Sequence, residues 1–218
     1  MGLIDRLTPR RPEHASAESP PSRVEEPVFS TKALRKFLST MSGRASPTLM
    51  DLAPVVGSNL NFFGDHLGCK VLVEDVYAEV ERHAREGRLA ELPAFLSTRF
   101  RQADASVDAV ICWDLLDYLD RVAAQALADQ LTRVLKPNGA LLAFFGTAAP
   151  RDTHFTRYII VDDLNLKHRV YPATHGRQAT MANRDIIRLF GRLRVSDSFL
   201  LQNNLREILF RKPTYETR

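Results

Sequence analysis

The carboxylates of this chain that could bind a ligand stand at the ends of apolar runs. Asp51 lies near the end of the run 48–53, and a turn over residues 52–57 follows it, closing on Gly57 ahead of a helix-like segment. Glu74 and Asp75 follow the apolar run 70–73, and Asp114 and Asp117 follow the run 107–112. A carboxylate in such a place accepts hydrogen bonds from ligand hydroxyls, including those of a ribose. A glycine-bearing turn before a helix permits close backbone approach and offers free N–H groups. Asp114 and Asp117 suit a substrate at the carboxyl end of a strand, or equally the capping of the next helix. His154, His168 and His175 stand among Tyr158, Asp162, Asp163 and Tyr171, at spacings that match no zinc pattern, so no metal is expected. From that group His175 and Tyr158, with Asp114 as a third, are candidate acid–base residues. Cys112 lies inside an apolar run, and with Cys69 it reads as a reduced, buried structural thiol.

These residues need elements to hold them. Thr31 is a plausible cap for a helix over residues 32–41, whose apolar face is Ala33, Leu34, Phe37 and Leu38, and Gly43 ends it. Strands are expected over residues 48–53, 70–73, 107–112 and 140–146. Helices are expected over 58–67, capped by Ser58 and stopped at Gly68, over 76–88, and over 121–135. Lys136-Pro137-Asn138-Gly139 reads as a turn. Near-continuous apolar strands alternating with helices predict a doubly wound, mostly parallel sheet with helices on both faces. Residues 147–181 show few periodic cues and suit a loop over a substrate. A short helix over 184–190 precedes strands 194–202 and 205–211, joined at Asn203-Asn204 into an antiparallel hairpin. Order is expected to begin near Ser30. The expected organisation is a disordered tail over 1–29, rich in Pro, Glu, Ser and Arg, a domain over 30–213, and a short tail over 214–218.

Four pieces, in this order, resemble the class I S-adenosylmethionine-dependent methyltransferases, whose sheet is Rossmann-like. They are Leu49-Met50-Asp51-Leu52-Ala53-Pro54-Val55-Val56-Gly57, Val71-Leu72-Val73-Glu74-Asp75-Val76, Ala105-Ser106-Val107-Asp108-Ala109-Val110-Ile111, and Leu131-Thr132-Arg133-Val134-Leu135-Lys136-Pro137-Asn138-Gly139-Ala140-Leu141. The resemblance implies S-adenosylmethionine as cofactor, lined by Asp51, Ala53, Gly57 and the strand end at Cys112, Trp113 and Asp114. It implies Asp75, or else Glu74, on the ribose, and Trp113 beside the adenine or in packing. Where the family alternates three glycines, this chain has Ala53, Val55 and Gly57. A β-branched residue tolerates a positive φ poorly, so Val55 is the sharpest departure. The acid that the family carries after its third strand has only Asp104 as a neighbour here.

The implied activity is methyl transfer to a small-molecule or protein acceptor. The alternative is a non-catalytic binding or scaffolding module on the same fold. A nicotinamide dehydrogenase is disfavoured, because the loop lacks Gly-x-Gly-x-x-Gly spacing. The net charge of +4 is uneven: residues 151–218 hold thirteen Lys or Arg against seven Asp or Glu. That surplus leaves a nucleic-acid partner possible, but no motif here reads bases. With no long apolar stretch and no signal-peptide pattern, a cytoplasmic location is expected. Leu3, Ile4 and Leu7 suggest a possible docking partner for the tail.

Overall fold

The computed structural model describes residues 26–148, 153–178 and 180–214. The expected disorder of residues 1–25, with its apolar turn at Leu3, Ile4 and Leu7, lies outside them, as do residues 215–218. The chain opens with β1 (Val28–Ser30) and α1 (Leu34–Ser39), then β2 (Thr48–Asp51), α2 (Gly57–Leu67), β3 (Lys70–Val73) and α3 (Val76–Arg85). After α4 (Leu92–Thr98) come β4 (Val107–Trp113), α5 (Arg121–Val134) and β5 (Leu135–Gly146). The chain finishes with β6 (His154–Ile160), β7 (Asn165–Pro172), α6 (Asn183–Leu189), β8 (Arg194–Leu200) and β9 (Leu205–Arg211).

Six strands form one sheet in the order β3-β2-β4-β5-β9-β8. The pairs β3/β2, β2/β4 and β4/β5 are parallel, while β5/β9 and β9/β8 are antiparallel. This is the doubly wound sheet with a terminal hairpin that the pattern predicts. Period-two alternation sends neighbouring residues to opposite faces. Met50, Val110, Cys112, Leu141 and Phe145 face α3, α4, α5 and α6, while Leu49, Ile111, Trp113, Leu142 and Phe144 face α1 and α2. Both faces are covered, which is why β4 is buried along its whole length and is apolar apart from Asp108, whose carboxylate is met by Arg44, Lys136 and the Thr48 N–H.

The second face also carries something the periodicity did not announce. Within residues 147–181, β6 and β7 pair as an antiparallel hairpin, and β1 adds to the outer edge of β7. Tyr158, Ile160 and Leu166 of this three-stranded sheet pack into the α1/α2 side of the core. Alternation along residues 154–160 is blurred because Thr156 is buried and Ile159 is not. The turn signal was legible: Asp162 Oδ1 accepts from the Leu164 N–H at 2.8 Å. Order therefore begins earlier than Ser30, since β7 supplies backbone partners to Val28 and Phe29.

Three local expectations are corrected. α2 is capped by Val56 with no side-chain bond, and Ser58 is the second residue of the helix and exposed. α1 is shorter than expected and starts at Leu34, although Thr31 Oγ1 does accept from its N–H at 3.3 Å. Residues 136–139 belong to β5, as an irregularity in its pairing with β4. There Asn138 takes φ +60°, and a Cβ on Gly139 would lie 2.7 Å from the Lys136 carbonyl oxygen.

Glu207 ties the hairpin to α1. It is fully buried on β9, and its Oε2 accepts from the N–H groups of Lys32 and Ala33, each at 2.8 Å. Those donors precede α1 and have no partner within the helix. Glu207→Ala strands both, and should cost about 2–4 kcal/mol of unfolding free energy in a urea titration. Glu207→Gln, which keeps a carbonyl acceptor, should cost less. Equal losses would show that the contact does not act through hydrogen bonding.

Candidate functional site

The parallel strands deliver their carboxyl ends to one rim of the sheet. Asp51 arrives there buried, and its Oδ1 accepts from the Ala53 N–H at 3.1 Å and from Trp113 Nε1 at 2.8 Å. Burial raises its pKa to about 6 against the pull of those two donors. Trp113 closes β4 with φ +51°, a conformation a bulky residue adopts only when its surroundings force it. Its ring stacks on Tyr158 at 5.2 Å with the planes 2° apart. The indole, expected either beside an adenine or in packing, is packed between a strand acid and the β6–β7 hairpin.

The turn 52–57 avoids the difficulty posed by Val55. Neither Ala53 nor Val55 takes a left-handed φ, and Val55 projects outward, 57% exposed. A Cβ on Gly57 would meet nothing within 4 Å, so the turn borders open space. The N–H groups of Gly57 and Ser58 bond to no described residue. One turn into α2, buried Asn59 clamps the hairpin: its Nδ2 donates to the Tyr158 carbonyl and its Oδ1 accepts from the Ile160 N–H, both at 2.9 Å.

The two acids after β3 differ in what they have left to offer. Glu74 is ion-paired with Arg99 at 2.7 Å and accepts from Gln102 Nε2 at 2.7 Å. Asp75 caps α3 through Oδ1, which accepts from the Ala78 N–H at 2.9 Å, and its Oδ2 has no partner among the described residues. Burial raises the Asp75 pKa. No strand lies beyond β3 in this sheet, since residues 92–98 are helical. Asp104, the acid nearest the position expected after a third strand, instead pairs at the surface with Arg133. An open turn, free helix N–H groups and one half-free strand-end carboxylate fit the loop and ribose contacts of S-adenosylmethionine. Gly57 and Asp75 are suited to hold it, whereas Glu74 and Trp113 are already engaged.

Beyond β4 and β5 the structure gathers a second group. Asp114 is buried and ion-paired with Arg177, and it accepts from Tyr118 Oη at 3.4 Å. Asp117 Oδ2 accepts from the Gly146 N–H at 2.6 Å, while its buried Oδ1 has no partner among the described residues. A Cβ on Gly146 would lie 3.0 Å from Arg177 Nη1 and 3.1 Å from Asp117 Oδ2, so glycine there lets acid and guanidinium close in. Burial, with Asp114 adding to it, raises the Asp117 pKa to about 7. Burial also holds the Tyr158 phenol far above its usual range, so it stays protonated. His175 Nε2 lies 2.9 Å from the Tyr118 carbonyl oxygen and 3.0 Å from Gln178 Nε2. Of the three acid–base candidates, each is therefore tied to a neighbour. Arg177 joins them from thirty residues beyond β5, with no motif to mark it. Cys112 is fully buried, which pushes its thiol well above the usual range, and Cys69 is half-buried and pushed up to about 11. Among the described residues, no three His, Cys, Asp or Glu side chains gather where they could hold a metal ion.

Residues 50–143 match a family model described as a methyltransferase domain. Over that stretch the chain is similar to a methyltransferase domain. The match runs from the middle of β2 to the middle of β5 and so spans the strand ends that carry Asp51, Asp75 and Asp114. No curated protein matches the chain. Among solved structures it is similar to a protein of Pyrococcus horikoshii OT3, at 16% identity over 84% of this chain and 92% of that one, with a TM-score of 0.48. A SAM-dependent methyltransferase from Methanosarcina mazei is 15% identical over 79% and 95%, with a TM-score of 0.48. The glycopeptide N-methyltransferase MtfA, solved with S-adenosylmethionine, is 16% identical over 83% and 92%, with a TM-score of 0.46.

Asp117 makes this rim of the sheet sensitive to pH. Its folded pKa lies above the unfolded value of about 3.9, so the folded state holds the proton longer. Its contribution to stability should therefore fall as pH rises from about 4 to about 7 and then level off, with that of Asp51 running in the same direction. Asp117→Asn removes its share. The variant should gain roughly 2–4 kcal/mol on the wild type between pH ~4 and pH ~8 in paired urea titrations. Parallel pH curves for the two proteins would refute the assignment.

Proposed function

We propose that this chain transfers the methyl group of S-adenosylmethionine to a small-molecule or protein acceptor at the carboxyl rim of the parallel sheet. The observation that carries the reading is the half-free Asp75 carboxylate beside the open turn at Gly57, within the segment that matches the methyltransferase model. Bound S-adenosylmethionine supplies a methyl group on positively charged sulfur, which an acceptor lone pair takes as the carbon–sulfur bond breaks toward sulfur.

Asp75 Oδ2 accepts from ribose hydroxyls while Oδ1 keeps its place as the cap of α3. The N–H groups of Gly57 and Ser58 and the positive end of α2 favour a negative group on the ligand. Asp51, held by Trp113, fixes the shape of the turn. Much of such catalysis lies in orienting the acceptor, which needs a rigid wall more than a reactive group. Where the acceptor must lose a proton, Asp117 Oδ1 is the atom suited to take it, because a carboxyl group with a pKa of about 7 is poised at neutral pH.

The scaffold reading draws on the engagement of Asp51 and Glu74, but it leaves the free oxygen of Asp75 without a purpose. Among the described residues no helix is long and apolar enough to cross a membrane. The basic surplus of the last third is partly spent on carboxylates of this chain, with Arg177 on buried Asp114 and Arg169 on Glu26 at the surface, so a nucleic-acid acceptor gains no support.

Calorimetric titration with S-adenosylmethionine and S-adenosylhomocysteine tests the reading. Micromolar binding is expected, weakened by about tenfold in Asp75→Asn, where Asn keeps the helix cap but loses the charge. Absence of binding at about 1 mM cofactor would overturn the enzyme reading in favour of the scaffold.

A further inference from the structure

Behind the β6–β7 hairpin lies a cavity of about 250 Å³ that the cofactor site does not use. Its walls bring together Phe29 of β1, Tyr158 of β6, His168 of β7, Arg177, and the Asn203-Asn204 turn between β8 and β9. Three of these present ring faces or edges: Phe29 and His168 lie 4.2 Å apart, and Tyr158 meets His168 edge-on at 4.8 Å. Burial, helped by the charge of Arg177, lowers the His168 pKa to about 4, so its imidazole is neutral near pH 7. Arg177 carries a full charge on the described wall at that pH, and no described carboxylate lines the cavity. Asp114, its ion-pair partner, stands outside the lining.

Two polar atoms on this wall are buried and have no partner among the described residues. Arg177 Nε is a donor and Asn203 Oδ1 is an acceptor. A buried donor and acceptor left unmatched are costly; both atoms are sealed from solvent in the unliganded protein, and a small rotation of each side chain toward an occupant recovers that cost. The volume falls below the about 300–1,000 Å³ typical of drug-sized sites, which limits the occupant to about one ring.

We propose that this cavity binds a single-ring aromatic molecule bearing an anionic oxygen for Arg177 and an O–H or N–H donor for Asn203. Stacking comes from Phe29, Tyr158 and His168. Resting on the methyl-transfer reading, the inference names the class of acceptor: Tyr158 stacks on Trp113 at the end of β4, and Arg177 reaches Asp114 on the same rim. Tyr158 and Arg177 therefore link the cavity wall to the rim where the acceptor must lie.

Trp113 is the protein's single tryptophan and touches the wall through Tyr158, so its fluorescence reports occupancy. With para-hydroxybenzoate as probe, saturable quenching is expected with a dissociation constant of about 1 mM or tighter. Cyclohexanecarboxylate, which lacks the ring faces, and para-hydroxybenzyl alcohol, which lacks the charge, should each bind about tenfold more weakly. Arg177→Gln and Asn203→Ala should each weaken the probe by about tenfold, and Asn203, in a surface turn, can be changed without touching the ion pair. Circular dichroism melts identify any variant that fails to fold. No saturable quenching at about 10 mM probe, or a probe indifferent to Asn203→Ala in a folded protein, would overturn the inference. The parallel titration with S-adenosylmethionine separates the two readings. Probe binding without cofactor binding keeps the cavity and removes methyl transfer, and cofactor binding without probe binding does the reverse.

Discussion

The hydrogen bond from Trp113 Nε1 to Asp51 Oδ1 holds the functional rim of this protein together. It joins the ends of two parallel strands, and its energetics depend on burial. A carboxylate brought out of water costs several kcal/mol unless donors meet it, and here the indole and the Ala53 N–H meet it. To deliver that donor, Trp113 accepts a left-handed backbone. The strain is offset by the stacking of its ring on Tyr158 and its edge contact with Phe144 at 5.6 Å. Turn, strand end and hairpin are thus set by one contact.

From that contact the two halves of the site diverge. On the side of β3, Asp75 and the turn at Gly57 remain partly unsatisfied and open. On the side of β5, acids and a guanidinium are drawn into low dielectric, where each depends on the others for its charge state. Burial opposes the charge of Arg177, and Asp114 with its neighbours more than restores it. Such a group is sensitive to removal of any member, because the remaining charges would be buried and unpaired. Gly146 is the backbone condition for it, since a Cβ there would crowd both Arg177 and Asp117.

The small sheet β1-β7-β6 stands apart from the main sheet. It covers the α1/α2 face, is fastened by Asn59 and by the buried Tyr158, and carries one wall of the aromatic cavity. Its placement links a structural requirement, covering the open face of a parallel sheet, to a functional one, shaping what can approach the rim.

The amino-acid order alone determined the central sheet. Apolar runs at 70–73, 107–112 and 140–146, separated by helical periods and ended by Gly68, Gly87 and the Asn203-Asn204 turn, left few other arrangements, because strands buried on both faces must be apolar throughout. It also determined that Asp51, Asp75 and Asp114 would meet at one rim, since every parallel strand ends on the same side. Tertiary structure decided which of them stay available. Glu74 is lost to Arg99 and Gln102, Asp51 to Trp113 and Ala53, and Arg177 is recruited from a segment with no motif, all through contacts between residues at least twenty-five positions apart except that with Ala53. The hairpin at 154–172 escaped the periodicity because its strands are half-buried against a curved core, so burial there follows the neighbours and not the alternation. Local sequence fixes where a carboxylate stands, but its free lone pairs depend on donors that only the folded chain brings near.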